Sequence, residues 1–186
     1  MRGDIHAQIA ATQMGVERVK ELCARFGATT LTDAFAAILK GAADELRTAI
    51  ARLPEGLSYA EGFLDSDGIE VDKPIKLAVT VTIKDGLAHF DFTQCAPQAK
   101  GPVNLRPSMA EACVFYSLIG SLGPEIAYND GMRDAVRITY APRTIVNAEP
   151  PGPVSSYQMV NLALTDVLLE ALAHFNPGRA LASSGA

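Results

Sequence analysis

Three observations predict an α+β fold. Apolar residues recur at helical spacing as far as Leu53, and they then alternate with a period of two between 57 and 92. Beyond that, two strongly apolar helical runs flank a short alternating segment. The expected order is an N-terminal helical hairpin, an antiparallel β meander, a buried helix and a C-terminal helix.

The first helix is expected over 4–26, where Ile5, Ile9, Val16, Val19, Cys23 and Phe26 share a face and Gly27 supplies a stop. In TTLTD, Thr30 and Asp33 can cap a second helix, which runs through Phe35, Ile38, Leu39, Ala42, Leu46 and Ile50 to Leu53 and ends at Pro54. Joined by a short loop, the two would share one apolar face as a hairpin over 1–54, leaving 55–186 as the α+β core. Residues 57–64 can form a strand, followed by the turn DSDG. Over 75–84, Ile75, Leu77, Val79, Val81 and Ile83 face one way, while Lys76, Ala78, Thr80, Thr82 and Lys84 face the other. Asp85-Gly86 is a two-residue hairpin signal, and LAHFDF returns with Ala88, Phe90 and Phe92 on one side.

A polar loop, TQCAPQAKGPVN, leads into an apolar helix at 108–122. Val136, Ile138 and Tyr140 alternate as a strand, and TIVN is a candidate for a second short one. The last helix is expected over about 157–175. No internal repeat and no linker between domains is visible.

With 186 residues, 48% hydrophobic and 20% charged, the chain can bury a real core. A net charge of -5, with scattered Lys and Arg, argues against nucleic acid as a partner. The three cysteines, Cys23, Cys95 and Cys113, are widely spaced and contain no CxxC pair, which suits free thiols in a reducing compartment. The longest apolar stretch, ACVFYSLIG, is too short to span a bilayer. A soluble, cytoplasmic protein without a membrane partner is expected.

Candidate chemistry divides into weak and open options. His6, His89 and His174 lie on different elements without ligand spacing, so no metal site is expected within the chain. Cys95 sits in a loop with His89 one strand earlier, the arrangement a cysteine hydrolase would need. An ordinary free thiol is the preferred reading of it. Neither GxxxxGK[ST] nor GxGxxG occurs, so no nucleotide cofactor is expected on this chain. Two polar clusters remain. One is Gln94, Gln98, Lys100, Asn104 and Arg106; the other is Asn129, Asp130, Arg133 and Asp134. Such amides and guanidinium groups can orient a carbonyl or carboxylate substrate. They equally serve loops by satisfying backbone groups and capping helices, and the physics alone favours that use.

The blocks GDIHAQIAA, FTQCAPQAKGPVN, NDGMRDAVRITYAPRTIVN and VNLALTDVLLEAL, with the SSGA ending, occur in an order that resembles the hydantoinase B/oxoprolinase family across nearly the whole chain. That family includes acetone-carboxylase-type large subunits. The resemblance implies part of a B-type subunit of an ATP-dependent cyclic amide hydrolase of the 5-oxoprolinase or hydantoinase type. Its partners would be a hydantoinase A-like ATP-binding subunit, the remainder of the B-type subunit and a small-molecule substrate. The A-type half would phosphorylate the substrate oxygen, and the B-type half would complete hydrolysis or carboxylation. A divalent metal is implied in a His- and Asp-rich region upstream of the GDI block, to which nothing here corresponds.

The chain also departs from the family in carrying Gln94-Cys95 where a Gly-Thr pair is usual. NDGMR leans towards the acetone-carboxylase side, so a segment of such an alpha subunit is the alternative, with a non-catalytic interaction module as a further one. The chain alone is expected to be inactive. Asn104 and Arg106 are the leading pocket or interface candidates, because Gly101-Pro102 fixes the backbone before them. Asn129, Asp130 and Arg133 follow, with Gln98 and Lys100 beside them.

Overall fold

A computed structural model of the protein describes residues 2–180, so the SSGA block lies outside the described residues. Two compact units result, Met1–Gly41 and Ala42–Ala186.

The first unit holds helix α1 (Arg2–Phe26) and the N-terminal part of α2 (Ala28–Ile50). Gly27, at φ 84°, is the single residue between them, a backbone state that glycine adopts without a Cβ penalty. Both helices are present, but the apolar stripe expected to be shared between them lies open. Ile5, Ile9, Val16, Val19 and Phe26 are each about half exposed, and α1 buries no residue.

The second unit begins inside α2, whose Ala42, Ala43, Leu46 and Ile50 are buried. Strands β1 (Gly56–Leu64), β2 (Ile75–Lys84) and β3 (Leu87–Asp91) form the expected antiparallel meander. The alternation decides which face is covered: Leu77, Val79, Val81 and Ile83 are at most 1% exposed. Their cross-strand partners on β1 are small, with Ser58 opposite Val81, Ala60 opposite Val79 and Gly62 opposite Leu77. Those small residues admit helix α4 (Gln158–Ala173), and a Cβ on Gly62 would stand 2.8 Å from Val167 Cγ2. Between β2 and β3, Asp85 (φ 51°) and Gly86 (φ 70°) both take positive φ, as a type I′ hairpin requires.

Helix α3 (Pro107–Leu122) starts on a proline, whose missing N–H is unneeded in the first turn, and packs against α4. A 3-10 turn, Asp130–Ala135, then delivers β4 (Val136–Thr139). The sheet order is β1-β2-β3-β4, with β4 parallel to β3, so the sheet is mixed. The reason is the crossover: a strand that returns through a helix on one face re-enters parallel to its neighbour. TIVN forms a turn stitched by isolated bridges, Pro97 to Thr144 and Thr144 to Asn147, in place of a second short strand.

Candidate functional site

The loop 93–106 is bound to its surroundings along most of its length. The Ala96 N–H donates to Lys76 O at 2.9 Å, Gln98 N–H to Arg143 O at 2.8 Å, and Leu105 N–H to Ile145 O at 2.7 Å. Asn104 is fully buried, and its side chain organises the crossing. Its Nδ2 donates to the carbonyls of Ala99 (3.0 Å), Gly101 (3.1 Å) and Pro153 (2.9 Å), while its Oδ1 accepts from Ala99 N–H at 2.7 Å. Gln98 Oε1 accepts from Glu149 N–H at 2.9 Å. Lys100 pairs with Glu70 at 3.0 Å on the surface. Arg106 is the exposed N-cap residue of α3, and its side chain makes no ion pair or hydrogen bond among the described residues.

Gly101 meets a second loop at Asp67. The Asp67 carboxylate accepts from the N–H groups of Ile69 (2.9 Å) and Glu70 (2.7 Å) through Oδ1, and from Gly101 N–H (2.8 Å) through Oδ2. Those backbone donors, Glu70 first, hold its carboxyl at about 2, below the usual carboxylate range. The Gly101 amide of KGPVN is therefore already engaged by a carboxylate.

Cys95 is 6% exposed, and its thiol donates to Ala78 O at 3.2 Å. Burial pushes it up to about 11, which leaves almost no thiolate at neutral pH. His89 is engaged with Thr139 Oγ1 at 2.8 Å. The cysteine-hydrolase arrangement is therefore not assembled.

The second cluster opens onto a surface depression. Asn129 caps the 3-10 turn by accepting from Gly131 N–H at 2.9 Å. Arg133 Nε donates to Asp130 Oδ1 at 2.7 Å, and its Nη1 donates to Glu111 of α3. The two carboxylates raise the Arg133 pKa further, Asp130 the more strongly. Ser108, Glu111, Phe115, Tyr128, Asn129, Asp130 and Arg133 line a cavity of about 170 Å³. An adjoining one of about 270 Å³ shares Glu111, Phe115 and Arg133, and adds Pro107, Val136, Ile138 and Tyr140. Burial, then the nearby Glu111 charge, raises the Tyr140 pKa.

Three of the expected residues, Asn129, Asp130 and Arg133, thus meet beside a cavity. Asn104, Gln98 and Lys100 do not line it, and Arg106 directly precedes the lining residues Pro107 and Ser108. Glu111, Tyr128 and Tyr140 were not anticipated. Glu111 had a signal, being the only charged residue in α3.

The donor set does not fit a metal centre. His6 lies on α1, His89 on β3 and His174 at the end of α4, and among the described residues no three His, Cys, Asp or Glu side chains converge. Among the same residues, no helix is long and apolar enough to cross a membrane alone.

Residues 1–186 match the family model for hydantoinase B/oxoprolinase. The B-type subunit of a putative D-/L-hydantoinase from Pseudomonas sp. is 31% identical over 98% of this chain and 33% of its own length. The ATP-dependent caprolactamase structure from Pseudomonas jessenii superimposes with a TM-score of 0.86 at 23% identity, covering 96% of this chain and 31% of that one. A nucleotide-free acetone carboxylase structure gives 0.72 at 20% identity, covering 87% and 23%. The chain spans about a third of the length of the first curated relatives it matches. By a match that runs from its first residue to its last, the chain belongs to the hydantoinase B/oxoprolinase family.

Proposed function

We propose that the chain is a segment of a B-type subunit of an ATP-dependent cyclic amide hydrolase, supplying scaffold, pocket wall and partner surface. ATP would be handled by an A-type subunit, and the segment alone would not turn over substrate. One observation carries this reading: the chain is 31% identical, over nearly all its length, to a third of the B-type subunit of a putative hydantoinase. The same comparison favours hydrolysis over carboxylation, since the acetone carboxylase likeness, at 20% identity, speaks to the fold alone.

The pocket wall is assigned to the depression around Glu111 and Arg133. A cyclic amide offers a carbonyl acceptor and an N–H donor close together. Arg133 can donate to the first and Glu111 can accept from the second if the ligand replaces part of their mutual pairing. Phe115, Tyr128 and Tyr140 supply flat apolar sides for a ring. Asn104, Gln98 and Lys100 serve the scaffold beneath, and Arg106 belongs to the rim.

ATP-dependent hydrolysis of hydantoin or 5-oxoproline, with an A-type subunit and the rest of a B-type subunit, tests the proposal. Activity is expected only in the full assembly. In that assembly Arg133→Ala is expected to lower kcat/KM about tenfold or more, with little change in thermal stability. Turnover by the purified chain alone would overturn the assignment. A stability loss without any kinetic effect would return Arg133 to a purely structural role.

A further inference from the structure

Helix α1 carries a repeat finer than general amphipathicity. Ile5, Ile9, Thr12, Val16, Val19, Cys23 and Phe26 are spaced 4-3-4-3-4-3, a heptad seam over three repeats that is apolar except at Thr12. Ile9, Val16 and Cys23 fall at one seam position, and Ile5, Thr12, Val19 and Phe26 at the other. A seam of period 3.5 fits a second helix better than it fits a sheet or a globular core. Yet Ile5 is 52% exposed, Ile9 51%, Val16 49%, Val19 46% and Phe26 50%.

The helix itself points the same way. α1 contains Gly15 in its interior, and helices in proteins owe most of their stability to packing of an apolar face. Its charged residues Arg18 and Glu21 pair with each other at 2.8 Å, and Lys20 pairs with Glu17 at 3.0 Å. No seam position carries a charge, so the seam offers a partner apolar fit.

Relative length favours one occupant. The family match includes α1, so the helix that carries the seam lies within the matched region. The caprolactamase structure reproduces 96% of this chain within a polypeptide of which it fills only 31%. We infer that the α1 seam is the docking strip for a helix from the remaining two thirds of a B-type subunit. This rests on the subunit reading above and goes beyond it by naming the strip and the heptad chemistry of its counterpart.

Cys23 is a built-in reporter, because it lies on the seam and is partly exposed while Cys95 and Cys113 are buried. Iodoacetamide labelling is compared in the isolated chain and in a graft. The graft carries these 186 residues in place of the matched third of the Pseudomonas sp. protein. Labelling of Cys23 is expected to slow about tenfold or more in the graft, and Val16→Glu should restore the fast rate. As a second format, the two pieces are co-expressed as separate chains, where co-purification should be lost with Val16→Glu.

Equal labelling in both contexts would overturn the inference. So would co-purification indifferent to Val16→Glu, or an isolated chain that is already dimeric and protected at Cys23. The subunit reading fails separately: a graft that covers Cys23 but shows no ATP-dependent hydrolysis when assembled with an A-type subunit refutes it and leaves the seam standing. An active graft with open Cys23 does the reverse.

Discussion

Gly101→Ala tests whether the GPVN crossing is a rigid part of the fold. An added Cβ at Gly101 would stand 1.9 Å from the Asp67 carbonyl oxygen, and 2.8 Å from both its carbonyl carbon and its Cβ. The nearest atom is backbone, so no rotamer change can relieve the clash. One of the two loops must retreat by roughly 1 Å or more before the contact becomes tolerable. The Asp67 loop resists, because its carboxylate holds the N–H groups of Ile69, Glu70 and Gly101. On the other side Asn104 Nδ2 holds the Gly101 carbonyl. Overpacking of this kind costs about 1–3 kcal/mol, and a backbone-to-backbone clash between two tethered loops belongs at the upper end. For a chain of this size, about 3 kcal/mol lowers Tm by roughly 6–12 °C. Differential scanning calorimetry of the two proteins reads this directly. A shift below about 2 °C would show that the two loops part freely, and would refute their tethering.

Three further substitutions bear on other parts of the molecule. Gly41→Ala, in α2 where an added Cβ meets nothing within 4 Å, should stabilise by about 0.5–1 kcal/mol in chemical denaturation; a loss would mean the helix is not continuous there. Ser117 is buried with a hydroxyl that has no partner among the described residues, so Ser117→Ala should raise stability by up to about 1 kcal/mol, and a clear loss would reveal a hidden hydrogen bond. The Asp67 carboxyl has its folded pKa lowered from 3.8 to about 2, so its contribution is complete above about pH 4 and is lost as pH falls towards 2. Asp67→Asn should accordingly lower Tm most above pH 4, with the gap to wild type closing towards pH 2; a gap independent of pH would contradict the backbone tethering of this carboxylate.

Much of the fold could be read directly because burial imposes a period. β2 has five apolar residues alternating with small, polar or charged ones, and Asp85-Gly86 demands a two-residue turn, so two strands and their pairing follow from local sequence. The direction of β4 has no such local marker, since Val136 and Ile138 alternate identically in either sense. Its parallel pairing follows from the helix between 107 and 122, a long-range feature. The open face of α1 was equally unreadable, because a heptad stripe looks the same whether its partner is nearby or on another chain. Within the candidate site, Asn129, Asp130 and Arg133 stand out as polar residues in a turn. Glu111 was hidden inside an apolar helix, where only its solitary charge gave it away.

What separates Asn104 and Asp67 from the cluster around Arg133 is the direction of their hydrogen bonds. Asn104 and Asp67 bind backbone groups within and between loops, so releasing either for a ligand would leave several N–H or carbonyl groups unpaired. Arg133, 54% exposed, pairs with the exposed Asp130 and with the half-buried Glu111 through side chains alone. A ligand can exchange with such side-chain pairs at small cost, because water already competes for the same groups. The loop that most resembles an active site by composition is therefore the one least free to act as one. The cluster on α3 and the 3-10 turn can change partners while the sheet beneath it stays intact.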